Sequence, residues 1–172
     1  MTQKHIGQFF SFKFEFASGT IIYSGYLIDF NEEWILIKHN PYDYLVDGYV
    51  LLRNKYITEF KRGNEERFKE KIFDLKGQKP KSKEKIPLKD TATILYYLSD
   101  KFGVFLFTQR TNLACWLGRV NKIKGTELKI DYLNPKGIWS STMPTYKLGN
   151  IRTIEFDTDY VNSLKLIAKK RW

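Results

Sequence analysis

Cysteine is almost missing from this chain of 172 residues, in which Cys115 is the single one. One thiol cannot close an internal disulfide, a state that fits a reducing compartment. Nor can it complete a Cys/His zinc set with only His5 and His39 beside it in the sequence. Long apolar runs are lacking too: the longest candidate, around Val104 to Phe107, is far short of the roughly 18 residues that cross a bilayer. The N-terminal "MTQKHIGQFF" does not have the charged-then-apolar layout of a secretory signal. No glycine-rich GxxxxGK[ST] loop occurs, which excludes the P-loop way of holding phosphates. These absences lead to the expectation of a soluble cytoplasmic protein, not an enzyme, without metal or cofactor and without a membrane partner.

Aromatic residues and positive charge are what the chain has in plenty. It holds 13 Phe and 11 Tyr, and 42% of its residues are hydrophobic. Aromatic and β-branched richness favours strands. Lysine and arginine number 29 against 19 acidic residues, a net charge of +10. A basic chain can bind polyanions by releasing their counterions.

The segment "SGYLIDFNEEWILIKHN" lies over "LGRVNKIKGTELKIDYL" without a gap when Gly25 is set on Gly118. Leu27 then meets Val120, Phe30 meets Ile123, Ile35 meets Leu128 and Ile37 meets Ile130. Apolar residues alternate in both, as in strands with one buried face. "VLLRNKYITEF" and "TYKLGNIRTIEF" follow at nearly the same distance, each with a basic residue (Arg53, Lys147) entering a turn. The chain therefore reads as two copies of one unit. Ahead of these segments, "QFFSFKFEF" in the first copy puts Phe10, Phe12, Phe14 and Phe16 on one strand face, which suits a core.

A helix is expected after each copy. Asn64 can cap "EERFKEKIFDL", with Phe68, Ile72 and Leu75 as its apolar stripe. Asp157 or Thr158 can cap "DYVNSLKLIAKKR", with Val161, Leu164 and Ile167/Ala168 inward and Lys169 to Arg171 at its C-terminal end. A further helix, "TATILYYLSDKF", starts after Asp90 and stops at Gly103. Residues 77–89, rich in lysine with two prolines, read as an exposed linker. The expected organisation is 1–76 for the first barrel and helix, 77–89 for the linker, and 90–172 for a helix, the second barrel and a last helix. The expected fold class is mainly β with α: two tandem small five-stranded barrels, each followed by a C-terminal helix.

Gly25, Leu27, Phe30, Asn31, Trp34, Ile35 and Ile37 resemble the first signature of the Sm-like family, and Leu52 to Ile57 resemble the second. In the second copy Tyr146, Lys147, Leu148, Gly149, Asn150 and Ile151 stand at the second signature in degenerate form. The resemblance implies that the two tandem barrels are of the Sm-like, SH3-like kind, which associates through its edges. It also implies a uridine site in which an asparagine of the first signature and an arginine of the second hold the base. Ile35 and Leu128 occupy the asparagine places, and neither side chain can hydrogen-bond to a base. The usual uridine pocket is therefore expected to be absent.

The expected function is non-catalytic binding of RNA or single-stranded DNA through basic and aromatic surfaces. Arg53, Lys55, Lys136 and Lys147 are the basic candidates, and Tyr42, Tyr44 and Trp139 the stacking ones. The alternative is a protein-interaction adaptor that uses barrel edges and aromatic loops, self-association included.

Overall fold

The computed structural model describes residues 1–80, 85–140, 142 and 144–169. Lys81 to Glu84 of the expected linker, and Lys170 and Arg171 of the expected last helix, lie outside the described residues. Among the described residues there are three α-helices, three short 3-10 turns and eleven strands, and within each half of the chain the strands pair antiparallel into an open sheet. The expectation of two five-stranded barrels, each followed by a helix, is thereby corrected. Period-two alternation decides which face of a strand is buried. Closure depends instead on whether the first and last strands of a set pair, and alternation carries no information on that.

The chain divides into two compact units, Met1–Lys85 and Ile86–Trp172. In the first, β1 (Phe9–Phe16), β2 (Gly19–Phe30), β3 (Trp34–Asn40), β4 (Tyr49–Arg53) and β5 (Ile57–Lys61) run in the order β4-β3-β2-β1-β5. Phe10, Phe12, Phe14 and Phe16 lie in one core with Tyr23, Leu27, Ile35, Ile37, Val50 and Leu52. Phe9, on the opposite strand face, stacks on Phe73 of α1 (Asn64–Leu75) with ring centroids 5.7 Å apart.

In the second unit α2 (Thr91–Lys101) precedes β6 (Phe105–Thr108), β7 (Cys115–Lys124) and β8 (Glu127–Leu133). Two short strands, β9 (Trp139–Ser140) and β10 (Tyr146–Lys147), then β11 (Thr153–Phe156) and α3 (Asp159–Lys169) complete it. The strand order is β10-β8-β7-β6-β11, with β9 also on β8. Val161 and Leu164 of α3 pack on Val104, Leu106, Leu117 and Leu133.

The repeat seen in the sequence is a repeat of register. Gly25 pairs with His39, and Gly118 pairs with Tyr132. Each ladder then slips by one residue, between Leu27 and Asp29 and between Val120 and Lys122. A bulge at the same place in both hairpins bends the strands alike. In the second, Ser99 and Tyr96 of α2 accept hydrogen bonds from the Val120 and Ile123 amides, at 2.9 and 3.3 Å.

The helix starts follow local chemistry. Asp90 accepts from the Thr93 amide at 2.8 Å and caps α2, and Thr158 accepts from the Val161 amide at 3.2 Å. At α1 the cap is Gly63 rather than Asn64, and the Gly63 amide donates to Glu66 at 2.8 Å. The buried face of α1 also differs from the expected stripe. Glu66 and Phe73 are buried, whereas Phe68 is 58% and Leu75 81% exposed. The Ser11 hydroxyl donates to Glu66 at 2.7 Å, and Phe73 meets Phe9 and Tyr26. These partners turn the helix away from its most apolar stripe. In the expected linker, Ile86 and Leu88 are buried and so depart from a wholly exposed strap.

His39 gives unit 1 a pH dependence. Its ring lies 5.6 Å from that of Tyr23, and burial lowers its pKa from 6.5 to about 4. The fold favours the neutral ring, so this contribution is present above about pH 6.5 and is lost as pH falls towards 4. Urea unfolding between pH 7 and 4.5 should show a loss approaching about 2–3 kcal/mol. His39→Gln should flatten that slope, and an unchanged slope in the variant would contradict the assignment.

Candidate functional site

The sequence "KIKGTELK" makes the tip of the β7–β8 hairpin. Lys124 pairs with Glu127 across the two residues Gly125 and Thr126, and Gly125 takes a φ of +57°, where a side chain would be strained. Leu128 and Ile130 turn inward and are buried. Alternation therefore sends Glu127, Lys129 and Asp131 to the opposite face. Lys122 stands directly opposite Lys129, and Lys147 of β10 stands opposite Glu127.

Lys122, Lys124, Lys129 and Lys147 are all exposed, and among the described residues none of them has an ion-pair partner. Asp131 does not neutralise them: it pairs with Arg119 at 3.1 Å and accepts from Asn121 at 2.8 Å. Glu127 is left among four lysines. A shallow cavity of about 190 Å³ is lined by Lys122, Lys124, Glu127, Lys129 and Thr145. Like charges directly opposite one another in a sheet are destabilising. The Lys122–Lys129 pair therefore costs the fold something, and a polyanion lying across it would reverse the sign of that term. Same-face residues along a strand repeat at about 6.8 Å, a spacing comparable to that of successive phosphates in an extended single strand.

Of the residues expected from sequence to form a site, Lys147 alone belongs to this face. Lys136 is exposed, in a turn where Asn134 accepts from the Lys136 and Ile138 amides at 2.9 and 3.0 Å. Trp139 is half-buried against the second core, with the Arg119 guanidinium 4.6 Å from its ring centre. That ring face is covered and is not offered to a base.

In unit 1 the Arg53 side chain is buried, with the residue 5% exposed. Arg53 Nη1 donates to Glu33 Oε1 at 2.5 Å, and the guanidinium lies 4.5 Å from the Trp34 ring centre. Burial presses its pKa below the ordinary value, and Glu33 opposes that shift without cancelling it. Lys55 is exposed, with its ammonium 5.0 Å from the Tyr56 ring. Tyr42 and Tyr44 are exposed on the β3–β4 loop. Lys122, Lys124 and Lys129 are absent from the sequence-derived set. The signal for them is present, since inward Leu128 and Ile130 oblige Lys129 to face out.

Comparison of the chain with protein-family models, with curated proteins and with solved structures gives no match. No group of three or more His, Cys, Asp or Glu among the described residues is placed to hold a metal ion. No helix among them is long and apolar enough to cross a membrane.

Proposed function

We propose that this protein is a non-catalytic binder of RNA or single-stranded DNA, acting in the cytoplasm. The observation that carries the reading is the set of four lysines on one sheet face that have no ion-pair partner among the described residues, two of them directly opposed. Stability argues against that arrangement, and phosphate binding argues for it. The net charge of +10 adds long-range attraction. The resemblance of residues 25–57 to the Sm-like signatures accords with RNA as the ligand.

Each phosphate neutralised on a single strand contributes about 0.7 to the fall of log K with log salt. Four lysines predict a slope of about −2 to −3, readable by fluorescence anisotropy of a labelled mixed-sequence oligonucleotide. Lys129→Thr should weaken binding and flatten the slope while leaving thermal stability equal or slightly higher, because it removes the like-charge pair. Absence of binding at low salt would overturn the proposal. It would favour the second reading, a protein-interaction adaptor, which the exposed Phe68 and Leu75 on α1 support.

A further inference from the structure

The face of the unit 1 sheet on which α1 packs carries a row of polar side chains across four strands, and of these Ser11, Ser24 and Asn40 are buried. Lys61 pairs with Ser11, Ser11 with Ser24, and Ser24 with Asn40. Two cavities of about 250 and 230 Å³ lie over this face and share Ser11, Ile22 and Lys61, so they form one groove. Ile22 is 61% exposed in it, and Tyr42, on its rim, is 65% exposed.

Tyr42 is held rather than loose. Asn40 is 4% exposed, and its side-chain nitrogen lies 2.6–3.0 Å from the carbonyl oxygens of Tyr42, Asp43 and Leu45. Lys76 donates to the Tyr44 carbonyl at 2.6 Å. An exposed aromatic ring on a loop fixed from beneath has already lost the freedom that binding would otherwise remove.

The hydrogen-bond direction in the row is determined by its end. Burial pushes the Glu66 pKa up, but hydrogen bonds from Ser11 and Gly63 outweigh it and hold the carboxyl below its ordinary range. Glu66 is thus ionised and accepts from Ser11 at 2.7 Å. Ser11 has one hydrogen and has given it away, so Ser24, 3.0 Å from it, must donate to Ser11. Ser24 then offers only lone pairs to the groove. Asn40 also spends its nitrogen on the loop, and its Oδ1 accepts nothing from a described residue. Two neighbouring groups therefore present acceptors and no donors. Glu65 lies 3.9 Å from Lys61 and 3.6 Å from Lys69, so this rim is close to neutral and is no phosphate clamp.

We propose that this groove is a nucleobase site selective for bases with an exocyclic amino group, which uracil and thymine lack. The amino group donates to Ser24 Oγ and Asn40 Oδ1, and the ring stacks on Tyr42 beside Ile22. The inference rests on the nucleic-acid reading above and gives unit 1 a base-selective contact of its own.

Anisotropy titrations with equal-length oligo-A, oligo-C and oligo-U at one salt concentration test it. Oligo-A and oligo-C should bind about fivefold or more tightly than oligo-U, the ratio that one net hydrogen bond provides. Ser24→Ala and Tyr42→Ala should each bring oligo-A and oligo-C towards oligo-U while leaving the salt slope unchanged. Equal binding of the three by the unaltered protein, or a preference untouched by both substitutions, overturns the inference and leaves the lysine-face reading standing. If no oligonucleotide binds, that reading fails, and a titration of free adenosine and cytidine followed by amide NMR decides the groove by itself. Shifts confined to the Ser24 and Asn40 region, absent with uridine, support it, and no shifts overturn it.

Discussion

Gly25→Ala is expected to destabilise unit 1 by about 3 kcal/mol or more, as overpacking against backbone does. A Cβ at this position would sit 2.2 Å from the Lys38 carbonyl oxygen and 3.0 Å from its carbon. Both atoms belong to the paired strand, so relief requires β2 and β3 to part. Neither a flexible side chain nor a rotamer change can absorb the contact. Gly118→Ala should behave in the same way in unit 2, where the Cβ would lie 2.2 Å from the Asp131 carbonyl oxygen. At Gly149 a Cβ would meet no atom of the described residues within 4 Å beyond its chain neighbours, and Gly149→Ala should stay within about 0.5 kcal/mol. Urea unfolding followed by circular dichroism measures all three. A loss under about 1 kcal/mol at Gly25 would mean that the close approach of β2 to β3 is wrong.

Arg53→Ala carries the second large effect. The substitution removes a buried guanidinium that stacks on Trp34 and pairs with Glu33. Breaking a fully buried pair costs about 3–5 kcal/mol, but the Glu33 side chain is 40% exposed and regains water when the partner leaves. A loss of about 2–3 kcal/mol is therefore expected. Arg53→Lys should recover only part of it, because an ammonium lacks the planar fork that stacks and donates together. Lys147 enters the corresponding turn of the second copy but is exposed, and Lys147→Ala should change stability by less than about 0.5 kcal/mol. Oligonucleotide binding should respond in the opposite order, with Lys147→Ala weakening it and Arg53→Ala leaving it unchanged at temperatures where the protein is folded. Equal stability losses at the two positions would contradict this account.

The candidate site is legible in the sequence only in part. Lys147 stands out because it enters a turn with a counterpart in Arg53, but the counterpart is structural. Sequence places the two alike, whereas burial separates them: Glu33 and Trp34 lie beside Arg53. Trp139 reads as available for stacking, yet Arg119, distant in the chain, covers its ring. Lys122, Lys124 and Lys129 lie outside the aromatic loops. They sit within a hairpin and on its flank, where only strand pairing brings their charges together.

What the sequence determined by itself was local and periodic. Alternation at Phe10 to Phe16 and at Leu128 and Ile130 assigned strand faces, because the side-chain period of a strand is two and water rejects the apolar set. Asp90 and Gly103 marked helix ends, and Asp157 or Thr158 a third, because unsatisfied amides and a left-handed turn need those residue types. The spacing from Gly25 and from Gly118 encoded one register twice. Tertiary structure alone decided that the sheet stays open, that α1 buries Glu66 and Phe73 in place of Phe68 and Leu75, and that Lys122 faces Lys129. Each of these depends on which distant group supplies the partner: a strand edge, the Ser11 hydroxyl, or the opposite arm of a hairpin. Periodicity states what a residue needs, and only the folded chain states who provides it.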